Sequence, residues 1–229
     1  MKQSHARASS LTGGSRIGKS LSVPAAARRS SSSKSPPVAY GNSKNSLDAH
    51  LRDIKRQVDR STSDPETIQL AGRLVSAKYD YTRDPRSKVL VPVVQAWGNY
   101  YRAPDGAACA MRDAYCEIQR MWDFLVLNVR YTFDQQEVDT FKTLKETLAS
   151  GAEDCDGFVI AFAALLKSVG FRVVARVISS QGGTWDHIYT LVGCPHDNPK
   201  KWIPLDPTVD GAVPGWEYPN AHARQDFVL

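Results

Sequence analysis

Residues 155–169 read Cys-Asp-Gly-Phe-Val-Ile-Ala-Phe-Ala-Ala-Leu-Leu-Lys-Ser-Val, a stretch that is apolar almost all round. A helix without a polar face must be enclosed by the rest of the chain, so this segment is expected at the centre of the fold. Gly170 supplies the usual helix stop. The loop Ala149-Ser150-Gly151-Ala152-Glu153-Asp154 places Cys155 in the first helical turn. Unpaired backbone N–H groups and the positive end of the helix dipole favour a thiolate there, and the thiolate is the nucleophilic form.

Two later segments supply partners for such a thiol. Trp185-Asp186-His187-Ile188-Tyr189-Thr190 reads as a strand carrying a base, and Trp202-Ile203-Pro204-Leu205-Asp206-Pro207-Thr208 as a strand ending in a carboxylate. Elimination also selects His187, because His5 lies in a polar N-terminal arm, His50 on a polar helix, His196 in a Pro/Asn-rich loop and His222 in the terminal tail. Asp206, set between Leu205 and Pro207, calls for a partner, and an imidazole N–H provides one. Asp197 and Asp210 read as loop acids.

The pattern around this centre is helices first and strands last, which predicts an α+β fold with an antiparallel sheet. Residues 46–60 read as a polar helix behind Ser46, and Asp64-Pro65-Glu66 caps and opens another, the two forming helical layers or a stalk. Val89 to Tyr101, with Pro92 inside it, reads as a kinked helix. From Gly106 to Val129 the three- and four-residue spacing of Ala110, Ala114, Ile118, Met121, Phe124 and Leu125 predicts a helix with one buried face. Thr143-Leu144-Lys145-Glu146 is a capping box for a short helix ending near Gly151. Strands are expected at Phe171–Ile178, Trp185–Val192 and Trp202–Leu205, with a turn at Gln181-Gly182-Gly183. The closing Phe227-Val228-Leu229 is expected to dock on its own domain, and Gly215-Trp216-Glu217-Tyr218 either covers the core or lines the groove.

Met1 to Leu47 holds eight Lys/Arg, thirteen Ser and no Asp or Glu. Such a segment buries too little apolar surface to offset its ordering entropy. Without those eight bases the whole-chain +5 becomes 21 basic against 24 acidic residues, or −3, so the basicity belongs to the arm. The organisation read from the chain is therefore an arm at 1–45, a helical segment at 46–84 and a cysteine domain at 85–229. The arm is a solvated extension, an organellar transit peptide, or a docking element. As the last, Arg7, Arg16, Lys19, Arg28, Arg29 and Lys34 would contact nucleic acid or an acidic protein surface. No apolar run of signal-peptide type follows, and nothing approaches a membrane span, which predicts a cytoplasmic or assembly-associated protein without membrane contact.

The four cysteines, Cys109, Cys116, Cys155 and Cys194, form no dense disulfide framework, so a reducing compartment is expected. Cys109 and Cys116 read as small hydrophobes on one helix face. A zinc site built from them with Cys194-Pro195-His196 matches no short metal motif, and no metal or cofactor is expected.

Gly151-Ala152-Glu153-Asp154-Cys155-Asp156-Gly157, the apolar helix after it and Ser168-Val169-Gly170-Phe171-Arg172 resemble the transglutaminase-like core. The segments 185–190 and 202–208 resemble its His and Asp motifs, and Val129-Arg130-Tyr131 with Asp134 resembles the stretch before its thiol helix. The resemblance covers about residues 85–215. It implies a papain-related α+β fold, the central Cys-bearing helix packed on an antiparallel sheet, and a Cys155, His187, Asp206 triad. Two departures are the insertion between Gly151 and the Asp-Cys pair, and Ile188-Tyr189 where many members carry a small residue and Trp. The triad implies an acyl-thioester at Cys155 on a protein or peptide amide, with the Cys155 backbone N–H and either Tyr131 or Trp185 at the oxyanion. Hydrolysis is expected over cross-linking, since no Asp-x-Asp-x-Asp calcium loop is present. The rival reading is a catalytically silent protein of a bacteriophage virion or similar assembly, docked through its arm.

Overall fold

In the computed structural model, which describes residues 44–76, 80–83, 90–103, 108–133 and 141–229, the chain opens with helices α1 (Lys44–Thr62) and α2 (Pro65–Val75). Strands β1 (Asp80–Arg83), β2 (Leu90–Ala96) and β3 (Asn99–Arg102) follow, then α3 (Ala114–Asn128), β4 (Arg130–Tyr131), α4 (Leu144–Ser150) and β5 (Ala152–Glu153). The second half is α5 (Cys155–Ser168), β6 (Val173–Ser179), β7 (His187–Cys194), β8 (Lys201–Leu205) and β9 (Ala223–Val228). Arm residues Arg7, Arg16, Lys19, Arg28, Arg29 and Lys34 lie outside the described residues.

Helix α5 is central for the reason its composition gives: every side chain from Phe158 to Leu166 is buried. Helices α1, α2, α3 and α4 pack on it, and β6 and β7 close another side. The sheet order is β8-β7-β6-β9, antiparallel throughout, so the fold is α+β with a cysteine-bearing helix against an antiparallel sheet. The reading of 46–60 as a polar helix is corrected by one stripe. Leu47, Leu51, Ile54 and Val58, spaced by four, three and four, are buried in the same core as α5.

The expected kinked helix over Val89–Tyr101 is instead the hairpin β2–β3, paired to β1 in a three-stranded antiparallel sheet. Burial alternates along it: Pro92, Val94 and Ala96 are buried while Gln95 is exposed. Trp97 and Gly98 form the two-residue turn, both with positive φ (49° and 77°) as a tight hairpin requires. Pro92 is tolerated because the ladder to β3 starts only at Val93↔Arg102; its carbonyl still accepts the Ala103 N–H at 3.0 Å.

Helix α3 starts at Ala114, eight residues after the start expected at Gly106, capped by the Asp113 carboxylate on the Cys116 N–H. That late start changes the cysteines: Cys109 and Cys116 are joined in a disulfide, not packed as two small hydrophobes. Seven residues within one helix would separate their Cα atoms by about 10.5 Å, too far to bridge. The chain turns back at Ala110–Arg112, where Arg112 has φ 62°, and the Cα atoms stand 5.6 Å apart. The disulfide also removes two thiolates from any zinc site with Cys194 and His196. Strand β9 is unexpected, because alternating Arg224 and Asp226 hide it as a polar tail. It pairs with β6 along its whole length, and Leu229 is buried behind it. No helix among the described residues is long and apolar enough to cross a membrane.

Candidate functional site at the start of helix α5

The thiol is delivered by a sequence of local devices. Thr143 and Glu146 form the complete capping box of α4, and Gly151, in the left-handed region at φ 64°, ends that helix. The chain then runs as β5 beside β4 in parallel, pairing Tyr131 with Glu153. Asp154 caps α5, its carboxylate accepting the Gly157 N–H at 2.9 Å, so Cys155 is the first helical residue. The insertion between Gly151 and the Asp-Cys pair thus becomes the short strand and leaves the helix start intact. Glu153 is buried against this turn, bonded to Lys142 Nζ at 2.9 Å and to the Thr147 hydroxyl at 3.1 Å. A Cβ on Gly157 would collide with the Glu153 side chain, which fixes glycine at that position.

Cys155 is partly exposed and not in a disulfide. Its thiol lies 3.9 Å from Asp156 Oδ1, and the other oxygen of that buried carboxylate lies 3.0 Å from His50 Nε2. His187 is the first residue of β7. The loop before it is pinned by buried Asp186, which accepts the Ser180 N–H at 2.9 Å and the Ser180 hydroxyl at 2.7 Å. His187 Nε2 meets Asp206 Oδ2 at 2.7 Å. Asp206 is 1% exposed, and its second oxygen accepts from Thr208, at 2.6 Å from the hydroxyl and 3.2 Å from the N–H. Both oxygens are thereby occupied and the imidazole presents Nδ1 on the side away from the carboxylate. The β7–β8 register, Thr190↔Leu205, brings these two residues together from nineteen positions apart.

Tyr131 links the two halves. Its phenol is pushed far up from its ordinary value, first by burial and then by the charges of Cys155, Asp154, Asp206 and Asp156. The hydroxyl therefore stays a neutral donor within electrostatic range of both the sulfur and the Asp206 carboxylate. Trp185 is half-buried and packs against the main core just before His187. Segment 215–218 lies over the outer face of the sheet: Glu217 accepts from Arg176 at 2.6 Å and from Tyr189 at 2.9 Å, and the Tyr218 ring centroid is 6.4 Å from that of His187.

Sequence reasoning missed two contributors. Thr208 follows Asp206 by two residues, the spacing at which a carboxylate captures its own turn. His50 falls on the stripe of Leu47, Leu51 and Ile54, so its burial was written in the same periodicity.

No curated protein matches the chain. The model of the transglutaminase-like superfamily, a fold of cysteine-based enzymes, matches residues 105–207. That span begins ahead of α3, includes Tyr131, Cys155 and His187, and ends one residue past Asp206, so over this core the chain is similar to the transglutaminase-like superfamily.

Proposed function

We propose that the chain is a thiol acyl-transfer enzyme that hydrolyses an amide of a protein or peptide through a thioester at Cys155. The observation that carries this reading is the combination of a partly exposed Cys155 in the first turn of α5 with the 2.7 Å bond between His187 and the buried Asp206, the half-buried Tyr131 standing within electrostatic range of both Cys155 and Asp206. In the reaction, His187 takes the Cys155 proton and the thiolate attacks the amide carbonyl. The oxyanion is met by the Cys155 backbone N–H and the neutral Tyr131 hydroxyl. His187 returns the proton to the departing amine, leaving the thioester. A water molecule, deprotonated by His187, then adds to the thioester carbonyl, and collapse expels the thiol and releases a carboxylic acid. Asp206 keeps the imidazole in one tautomer and stabilises its cation.

The test uses p-nitrophenyl acetate as the acyl donor and iodoacetamide as the thiol probe on the full chain. Nitrophenolate release, an acetyl group trapped on Cys155 by acid quench, and alkylation of Cys155 well ahead of Cys194 are expected. With methylamine added, acetate is expected to exceed N-methylacetamide; the reverse ratio would make the protein a transamidase. Acylation that survives Cys155→Ala would overturn the reading.

A further inference from the structure

Asp156 poses a chemical problem next to a nucleophilic sulfur, because a carboxylate beside a thiol opposes its ionisation. It is 5% exposed, and its two oxygens divide between the Cys155 thiol at 3.9 Å and His50 Nε2 at 3.0 Å. His50 comes from α1, outside the matched residues 105–207, and is itself buried, with the Phe141 ring set edge-on at 4.9 Å between centroids. The burial of Leu47, Leu51 and Ile54 around it fixes that face of α1 against α5. The other ionisable groups at this end of α5 are Asp154, Tyr131, the His187–Asp206 pair, and Glu153, whose carboxylate is already matched by Lys142 at 2.9 Å. On α1 itself, Asp53 is taken by Arg56 at 3.0 Å.

We propose that His50 is a positioning residue for the thiol: as an imidazolium it neutralises Asp156, so that the acid next to Cys155 does not suppress thiolate formation. This rests on the reading of Cys155 as the nucleophile. The fold then supplies two imidazoles with separate tasks. His187 moves the proton, while His50 cancels a fixed charge and moves nothing. An all-acid surround of Asp154, Asp156 and Asp206 becomes compatible with a reactive sulfur only when cations balance it.

The experiment is the pH profile of Cys155 alkylation by iodoacetamide in the full chain, read by peptide mass, for the unaltered protein, His50→Gln, Asp156→Asn and the double variant. His50→Gln is expected to move the midpoint up by about one pH unit, a roughly tenfold slower reaction below it, with rates converging at high pH. In the Asp156→Asn background the same replacement is expected to move the midpoint by less than half as much. A midpoint unmoved by His50→Gln, while Cys155 still outpaces Cys194, overturns this proposal alone. So does an equal shift with and without the Asp156 carboxylate, which would mark a structural effect. Should His50→Gln fail to fold, nitrogen NMR of the unaltered protein decides: an imidazolium at His50 at pH 7 supports the proposal and a neutral ring overturns it. Failure of Cys155 to outpace Cys194 in the unaltered protein would sink the nucleophile reading and this one together.

Discussion

Helix α5 has a histidine–carboxylate pair at each end, almost identical in length and opposite in setting. At the N-terminal end His187 meets Asp206 at 2.7 Å; at the C-terminal end His196 meets Glu117 at 2.6 Å and stacks on Phe171 with ring centroids 3.7 Å apart. Both imidazoles are equally covered, at 15% side-chain exposure. The differences are in the neighbours. Asp206 is held on its second oxygen by Thr208, and it shares electrostatic range of Tyr131 with the partly exposed thiol at the positive end of the helix dipole. The Glu117 pair borders Val169 and Gly170, where the dipole is negative; its neighbour Cys116 is locked in the disulfide, and the free cysteine closest in sequence, Cys194, is buried in strand β7. A short histidine–carboxylate bond is therefore no signature of chemistry by itself. What separates the pairs is helix polarity and an accessible sulfur.

The sharpest way to break that contrast is to remove each imidazole. His187→Ala is expected to slow acylation of Cys155 by p-nitrophenyl acetate by about a thousandfold or more, in line with loss of a base that acts as a unit with its nucleophile. His196→Ala is expected to leave the rate within about threefold while lowering Tm, since the half-buried Glu117 loses its partner. Comparable rate losses in the two variants would erase the distinction between the ends of α5.

A second step asks how much of the difference lies in the donor facing the sulfur. Tyr131→Phe is expected to reduce the acylation rate by about tenfold to a hundredfold, somewhat less than the loss of a dedicated oxyanion donor. Because burial and the surrounding acids hold the phenol well above its ordinary value, that ratio should be flat from pH 6 to 9. A ratio that changes across this range would show the hydroxyl ionising, contrary to its buried and acid-flanked setting.

These contrasts also show why some of the molecule was legible before any coordinates. Thr143 with Glu146, Gly151 and Gly170 each act through neighbours within four residues, so the bounds of α4 and the stop of α5 follow from local chemistry. The His187–Asp206 bond depends on strand register, yet an acid enclosed by Leu205 and Pro207 and a histidine in an apolar strand announced the need for a partner. The β2–β3 hairpin was misread because a single proline in an apolar run carries the signal of a kinked helix and of a ladder end alike. The decisive Trp97-Gly98 turn lacks the Asn-Gly or Asp-Gly composition that marks such hairpins. The 109–116 disulfide was hidden because residue spacing says nothing of a chain reversal at Arg112. His50 was misassigned by counting polar residues on α1, where its phase relative to Leu47 and Leu51 was the informative quantity.

The thiol end is also built more tightly than the opposite end, and replacing a single hydrogen tests this. Gly157→Ala puts a methyl into the Glu153 side chain, itself fixed by Lys142 and Thr147, and is expected to destabilise the fold by about 1–3 kcal/mol. Denaturant titration with the thiol rate followed in parallel should show both falling. At Gly170, where a Cβ meets nothing within 4 Å, the penalty of alanine is only that of the left-handed backbone at φ 93°, of order 1–2 kcal/mol, with the thiol rate unchanged.

The smallest effect concerns the capping box that launches the thiol loop. Glu146 is held below its ordinary value of 4.5, first by the Thr143 backbone N–H and then by the Thr143 hydroxyl. A carboxyl lowered in the folded state stabilises it fully above the unfolded value, and that contribution disappears as pH falls through the lowered folded value. Glu146→Gln keeps an acceptor for both donors but cannot titrate. The unaltered protein should therefore be the more stable of the two at pH 7, by a few tenths of a kcal/mol given the exposed site, and the two should converge below pH 4. A gap that persists at pH 3 would place the origin of the difference in packing around α4. The delivery of Asp154 and Cys155 to the positive end of α5 would then rest on Leu144 and Leu148 more than on the cap.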